Sequence, residues 1–340
     1  MIEIDGSRGE GGGQVLRTAL TLSCALGAPF SIHSIRVKRP HPGLAHQHLT
    51  AVRAAAMISG AEVKGAELGS TRLEFAPAGV SSGDYIFDVG TAGSISLVAQ
   101  TVLLPLALAS GTSRLIIRGG TDVKWSPPID YLSHVILPAL KRMGASATLA
   151  LVRRGFYPRG GGEVRIEVCG SKILRPLRLS EPGILERFDV LVASAGLPGH
   201  VPDRIASACR RLLSPHGEVV VSTEDWSTRA HSTGVSVCCL AVFDACVLGS
   251  AGVGEKGLRS EDLAAQVGDH LLGEVKAGAT ADLCAADQHL LPMALAPAGS
   301  EFSARGLSTH AETNIEVIEQ FLGRSFEIEE GEGMVRVRRV

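Results

Sequence analysis

Three stretches of this chain repeat one order of parts, and that repeat limits the possible folds more than any other feature. Each contains a polar or glycine-rich loop, an apolar helix and a glycine break, then a strand, a loop opening on a basic residue, a second helix and closing strands. The first reads as strand 2–5, helix 15–26, Gly27, strand 30–37, helix 44–58, Gly60 and strands around Glu62 and Leu73. The second reads as strand 85–88, helix 94–109, Gly111, strand 114–118, helix 131–143, Gly144 and strand 164–168. The third has helix 288–296, Gly299, strand 301–304, helix 313–322, Gly323 and strands ending at Arg339. Gly27 to Gly111 and Gly60 to Gly144 are each 84 positions apart, a period that marks a duplicated structural unit.

Gly111 to Gly299 spans 188 positions, so about 100 residues remain after one further period. The surplus reads as strands 188–195, 218–222, 235–239 and 241–248 with helices 204–213 and 260–275, the last with Ser260 as its N-cap. A compact unit of that size is tolerated in a surface loop. The expected class is therefore α/β. Three repeated sheet-plus-two-helix units (about 1–80, 84–170 and 276–340) make one domain over 1–180 and 276–340, with a small inserted α/β domain over 181–275.

Composition then removes function classes. A net charge of −2 leaves no global basic field of the kind that binds nucleic acid in bulk. Two Trp, three Tyr and nine Phe in 340 residues are too few for a platform that stacks rows of bases, but enough to grip one nucleotide or one strand end. Seven scattered cysteines without a CxxC fit reduced thiols better than a disulfide framework or a zinc site. The first ten residues carry acids where a signal peptide needs a basic and then an apolar run, and the apolar stretch 97–109 is broken by Gln100 and Pro105. The expectation is a soluble, cytoplasmic protein.

Several loops carry residues suited to chemistry. Gly9-Glu10-Gly11-Gly12-Gly13-Gln14 lies between a strand and a helix, where glycines let backbone N–H groups face an anion or merely form a tight turn. Glu10 within it is either a Mg²⁺ or Mn²⁺ ligand, since an acid beside phosphate needs a cation between them, or an acid complementing the helix dipole. Arg36-Val37-Lys38-Arg39-Pro40-His41-Pro42-Gly43, followed by Gln47 and His48, is a shaped basic loop, and Arg17 lies one turn into the first helix. Arg17, Arg39, Gln47 and His48 read as phosphate or ribose contacts, or as a solvated polar face. His310 lies in the third stretch's strand-to-helix loop, either an ordinary surface histidine or a nucleophile whose neutral ring has a free lone pair. Gln100 and Gln288 each precede their glycine break by 11 positions, placing both at matched turns of their helices beside Cys284, Ala285, Ala286 and Asp287. Arg153-Arg154-Gly155-Phe156-Tyr157-Pro158-Arg159 reads as a hairpin, or as a lip touching a nucleic-acid backbone.

In this order, DGSRGEGGGQVLRTAL, PHPGLAHQHLTAVRAA, GTAGSISLVAQT, GGTD, GFYPRGGGEV, ADQHLLPMALA and a histidine before Thr313-Asn314-Ile315 resemble the RNA 3′-terminal phosphate cyclase family over nearly the whole chain. The resemblance implies repeats like the C-terminal domain of a bacterial translation initiation factor. It implies ATP-dependent conversion of RNA 3′-phosphate ends to 2′,3′-cyclic phosphodiesters, a ligase reaction needing a divalent cation. His310 is then the nucleophile that takes AMP, Gln100 and Cys284 to Gln288 hold the nucleotide, and Glu10 with metal, Arg17 and Arg39 stabilise charge at phosphorus. Members of that family often carry Tyr where this chain has Cys284, and losing a ring that stacks on a base removes roughly 1–3 kcal/mol. Two other readings share parts of the pattern. A non-catalytic cyclase-like ribosome-assembly protein lacks the nucleophilic histidine, and an enolpyruvyl-type transferase of related repeated-unit fold lacks both the insertion and the nucleophile loop.

Overall fold

The computed structural model describes residues 1–9, 11–331 and 333–340. The first unit runs β1 Ile2–Asp5, α1 Gln14–Leu26, β2 Phe30–His33, α2 His46–Ser59, β3 Glu62–Lys64 and β4 Leu73–Ala76. Its sheet has the order β1-β2-β4-β3, with β1 and β2 parallel and the remaining pairs antiparallel. The second unit runs β5 Asp84–Asp88, α3 Ile95–Leu108, β6 Thr112–Gly119, α4 Ile129–Tyr131, a π turn Leu132–Ile136, α5 Leu137–Arg142, β7 Ser146–Arg153 and β8 Gly162–Cys169. Its order, β5-β6-β8-β7, and its strand directions repeat those of the first. Next come β9 Leu185–Ala195, α6 His200–Leu213, β10 Val219–Asp225, β11 Gly234–Phe243, β12 Val247–Val253 and α7 Ser260–Ala277, with a sheet ordered β10-β9-β11-β12. The chain ends with α8 Leu283–Leu295, β13 Glu301–Ala304, α9 Thr309–Leu322, β14 Phe326–Gly331 and β15 Met334–Arg339. This last sheet, β13-β15-β14, gains a short parallel edge where Arg178 bridges Glu301, the position held by β1 and β5 in the other units. The α/β class expected from the repeat is the class adopted.

Glycine ends the helices as the spacing requires. Gly27 and Gly60 sit at φ 66° and 58° as left-handed caps of α1 and α2, a conformation costly for any residue with a Cβ. The most apolar helix, α3, has buried residues on nearly every face, so it lies inside, packed against α1 and α2. In turn α1 packs on α9, and α9 on α8, so five helices from three units pack in succession.

Local details depart from the sequence expectations, each for a physical reason. The second strand stops at His33 rather than 37, because Ser34 and Arg36 take φ of 56° and 55°. The helix expected over 131–143 is split by the π turn just before Pro138, which has no N–H to continue the ladder. β7 was not anticipated beside the strand at 164–168. β11 runs unbroken through residue 240, because a strand buried on both faces shows no alternation that would mark its end. Ser260 is the first helical residue and its hydroxyl donates to the Val201 carbonyl, so it is not the cap expected; Arg259 holds that position. α8 starts five residues ahead of the expected 288, because the Asp282 carboxylate accepts from the Cys284 and Ala285 N–H groups at 3.0 Å each.

Two buried acids brace the last unit. Asp282 Oδ1 also accepts from the Tyr131 hydroxyl at 2.6 Å and its Oδ2 from the Gly249 N–H at 2.8 Å, joining α4, β12 and α8. Glu274, fully buried on α7, has neither carboxylate oxygen hydrogen-bonded; His270 Nε2 and Arg305 Nη1 stand 3.7 and 3.9 Å away. Burial first, then the neighbouring Asp282, push its carboxyl up to about 7, against the pull of Arg305. The folded chain therefore holds a proton that an unfolded chain loses near its ordinary value of 4.5. Stability attributable to this group falls as pH rises from about 4.5 to about 7, and the loss is complete above that. Glu274→Gln should be more stable than the parent at pH 8 by up to about 3 kcal/mol and indistinguishable near pH 4. Denaturant midpoints of both proteins across that range check this, and a pH-independent difference would contradict it.

Candidate active site

The glycine loop leads into α1, whose N-cap, Gly13, offers no side chain, so the first N–H groups of that helix have no side-chain cap. Gly9 and Gly11 take φ of 53° and 57°, and the loop is walled by polar side chains at distances only glycine permits. A Cβ on Gly9 would lie 1.9 Å from Thr313 Oγ1, one on Gly12 3.0 Å from Arg39 Nη2, and one on Gly13 2.1 Å from His48 Nε2 and 2.9 Å from Arg17 Nη1. Lys38 Nζ donates to the Gly9 carbonyl at 3.2 Å. Uncapped N–H groups among two guanidiniums and a lysine make a place for anionic oxygens.

His48 is buried, and its Nδ1 accepts from the Ala45 N–H at 3.3 Å, which assigns the ring proton to Nε2, facing the loop. Burial, with Arg17 and Arg36 nearby, brings its pKa down to about 3, so the ring is a neutral donor. Arg17 is half-buried, its pKa lowered to about 10 by desolvation, and among the described residues no carboxylate pairs with it. Its Nη2 donates to Gln14 Oε1 at 2.5 Å, while its Nε has no partner. Gln100 Nε2 is likewise buried without a partner. Arg17, Gln100, Asp287 and Gln288 line one small cleft with an apolar wall of Leu103, Leu132 and Ile136. The matched spacing of the two glutamines thus brings them together. Two orphaned buried donors in one cleft call for an acceptor-rich ligand. The cleft's volume of about 40 Å³ holds only a few waters.

His310 lies in the first turn of α9. Three and four residues on, the same helix face carries Thr313, which meets Gly9, and Asn314. Asn314 Oδ1 accepts from Gln14 Nε2 at 2.9 Å and Thr18 Oγ1 at 2.5 Å, and its Nδ2 donates to the Asp287 carbonyl at 3.2 Å. Ser308 caps α9 through the Ala311 N–H at 3.1 Å and donates its hydroxyl to Asp287 Oδ1 at 2.6 Å. The first turn of α9 is thereby fixed against both α1 and α8. Gln14, Ser308 and Asn314 lie in segments that the sequence singles out but without a role of their own, and Thr18 lies outside them, though the spacing of Gln14 to Thr18 and of His310 to Asn314, each one helical turn, was a usable signal.

Other expected site residues are placed differently. Gln47 is one residue from His48 but faces another cleft, where its Oε1 accepts from the Ser94 N–H at 3.0 Å. Ala285 and Ala286 are fully buried in the core. The Cys284 thiol lies against the Tyr131 hydroxyl, and burial first, then Asp282 and Asp287, push it well above the ordinary thiol range. Arg36 Nη1 is spent on the Gly43 carbonyl at 2.7 Å and Arg153 Nε on the Gly161 carbonyl at 2.5 Å. Arg154, read as part of a nucleic-acid lip, is buried between Asp122 at 3.0 Å and Asp130 at 2.8 Å. Glu10 lies outside the described residues, and among the described residues no three His, Cys, Asp or Glu side chains are grouped to hold a metal. Among the described residues, no helix is long and apolar enough to cross a membrane.

A family model described as RNA 3′-terminal phosphate cyclase matches residues 8–328. Relatives bearing that name from Trichormus variabilis and from a Nostoc species are each 47% identical over 328 residues, covering 94% of this chain and 94% of theirs. One from Archaeoglobus fulgidus is 42% identical over 334 residues, covering 97% of this chain and 98% of its own. Matched by that family model over nearly its whole length and by relatives at 42–47% identity, the chain belongs to the RNA 3′-terminal phosphate cyclase family, enzymes of the ligase class.

Proposed function

We propose that this chain converts RNA 3′-terminal phosphates to 2′,3′-cyclic phosphodiesters at the expense of ATP, through a covalent histidine–AMP intermediate. The observation that supports the reading best is the first turn of α9: it carries His310 and is tied by Thr313 to the glycine loop that His48 faces and by Asn314 to α1, which carries Arg17. In the first step a nitrogen of His310 attacks the α-phosphorus of ATP, and the bond to pyrophosphate breaks. An oxygen of the RNA 3′-phosphate then attacks the same phosphorus and displaces the imidazole. Finally the neighbouring 2′-oxygen attacks the terminal RNA phosphorus, AMP leaves and the 2′-hydroxyl proton passes to solvent. Throughout, the guanidiniums of Arg17 and Arg39 and the Nε2–H of His48 stabilise charge at phosphate oxygens. Gln100, through its orphaned Nε2, and Gln288 beside it orient the nucleotide.

Among the described residues no cluster of His, Cys, Asp or Glu would hold a metal by itself, so a divalent cation would be held by the Glu10 carboxylate together with phosphate oxygens, a donor set usual for Mg²⁺. Bound there, it neutralises triphosphate charge. Glu10→Ala should raise the Mg²⁺ or Mn²⁺ concentration needed for adenylylation and leave the melting temperature nearly unchanged. A capping acid would instead cost about 0.5–2 kcal/mol of stability with an unaltered metal titration. The unbridged cysteines fit a reducing, cytoplasmic setting. The function itself is tested with RNA carrying a labelled 3′-terminal phosphate: with ATP the label should become phosphatase-resistant, and label that stays removable would refute the reading.

A further inference from the structure

Among the described residues, Trp125 and Tyr157 are the two exposed aromatic rings, at 94% and 77% exposure, and both face one cleft of about 950 Å³. Trp125 also borders an adjoining cleft of about 480 Å³, so the indole stands as a ridge between two halves of one groove beside the edge strand β12. Its position has no stabilising explanation. The ring packs against no core, and its φ of 61° is unfavourable for a bulky residue. Yet the loop that presents it is rigid: Ser126 Oγ donates to the Val123 carbonyl at 3.1 Å, and Ser96 Oγ to the Pro127 carbonyl at 2.6 Å. Lys124 Nζ lies 5.7 Å from the indole centroid and pairs with Glu255. The groove's other acid, Asp122, is neutralised by Arg154. A strained, exposed ring held on a fixed loop is what a stacking surface requires.

The groove and the site lie on neighbouring faces of the first turn of α2. His48 faces the glycine loop, while His46 and Gln47, the residues just before it on α2, line the larger cleft. We propose that this groove binds the single-stranded RNA immediately 5′ of the terminal phosphate, with one base stacked on Trp125 and another on Tyr157. This rests on the cyclase reading for the position of the phosphate. Stacking on ring faces tolerates any base, and phosphate contacts do not read sequence. The groove therefore measures the presence of upstream nucleotides rather than their identity.

The test is equilibrium binding, without ATP, of a 5′-fluorescent hexanucleotide RNA ending in 3′-phosphate, compared with a mononucleotide 3′-phosphate as competitor. The hexanucleotide should bind the parent protein more tightly. Trp125→Gly, a substitution the left-handed backbone favours, should weaken hexanucleotide binding about tenfold and leave the mononucleotide unchanged. Trp125→Phe should restore much of the loss, and Tyr157→Ala should reproduce part of it. A parent that binds both ligands equally, or variants that bind the hexanucleotide like the parent, would overturn the proposal, as expected if the groove serves a protein partner instead. AMP-adduct formation on the same preparations separates the two readings. No adduct with ring-dependent binding refutes the cyclase chemistry alone; an adduct with ring-independent binding refutes the groove alone.

Discussion

His310→Ala should leave no AMP on the denatured protein after incubation with labelled ATP, a loss of more than about a thousandfold, because no second nucleophile replaces a missing one in a covalent route. The fold should survive. His310 is half-exposed, the fully buried Ala311 beside it is retained, and the Ser308 cap of α9 does not use the imidazole. A shift within about 0.5 kcal/mol is expected for such a position. On the parent, the adduct should be labile to acid and stable to alkali, as a phosphoramidate is. Label on the Ala variant, or a parent adduct with the opposite stability, would remove His310 from the mechanism. Labelling lost together with cooperative unfolding would point instead to the helix junction.

Arg154→Met should cost about 3–5 kcal/mol, the largest stability effect expected here, because it leaves two buried carboxylates without their cation. Asp122 is fully buried, Arg154 is 3% exposed, and the same guanidinium reaches Asp130 at 2.8 Å and Glu224 at 3.5 Å. Trp226 stacks over it at 5.8 Å and donates to Glu224 at 2.8 Å. These groups come from β10, from the loops flanking it and β6, and from α4, so the variant should loosen the β9–β12 sheet from the second unit. The deficit, read from denaturant midpoints, should shrink at low pH, where protonated carboxyls no longer need a counter-charge. A deficit below about 1 kcal/mol at pH 7 would show that water reaches these groups.

The sequence by itself determined the class and the repeat, because glycine at fixed intervals and apolar runs of helical length are local properties written in neighbouring residues. It also determined that Gln100 and Gln288 share a cleft, since equal spacing to equivalent glycines forces equivalent turns. Only the tertiary structure decided which polar side chains remain available. Arg17 and Arg154 look alike in the sequence, but among the described residues no carboxylate pairs with the first, while the second is held between two. Gln47 and His48 are adjacent in the chain yet face different clefts, because successive helical residues point about 100° apart and α2 lies between two units. Ala285 and Ala286 fell into the core once Asp282 started α8 five residues early. Partner and exposure depend on what the other units bring to the same place, over separations such as the 300 positions between Gln14 and Asn314, and no local pattern records that.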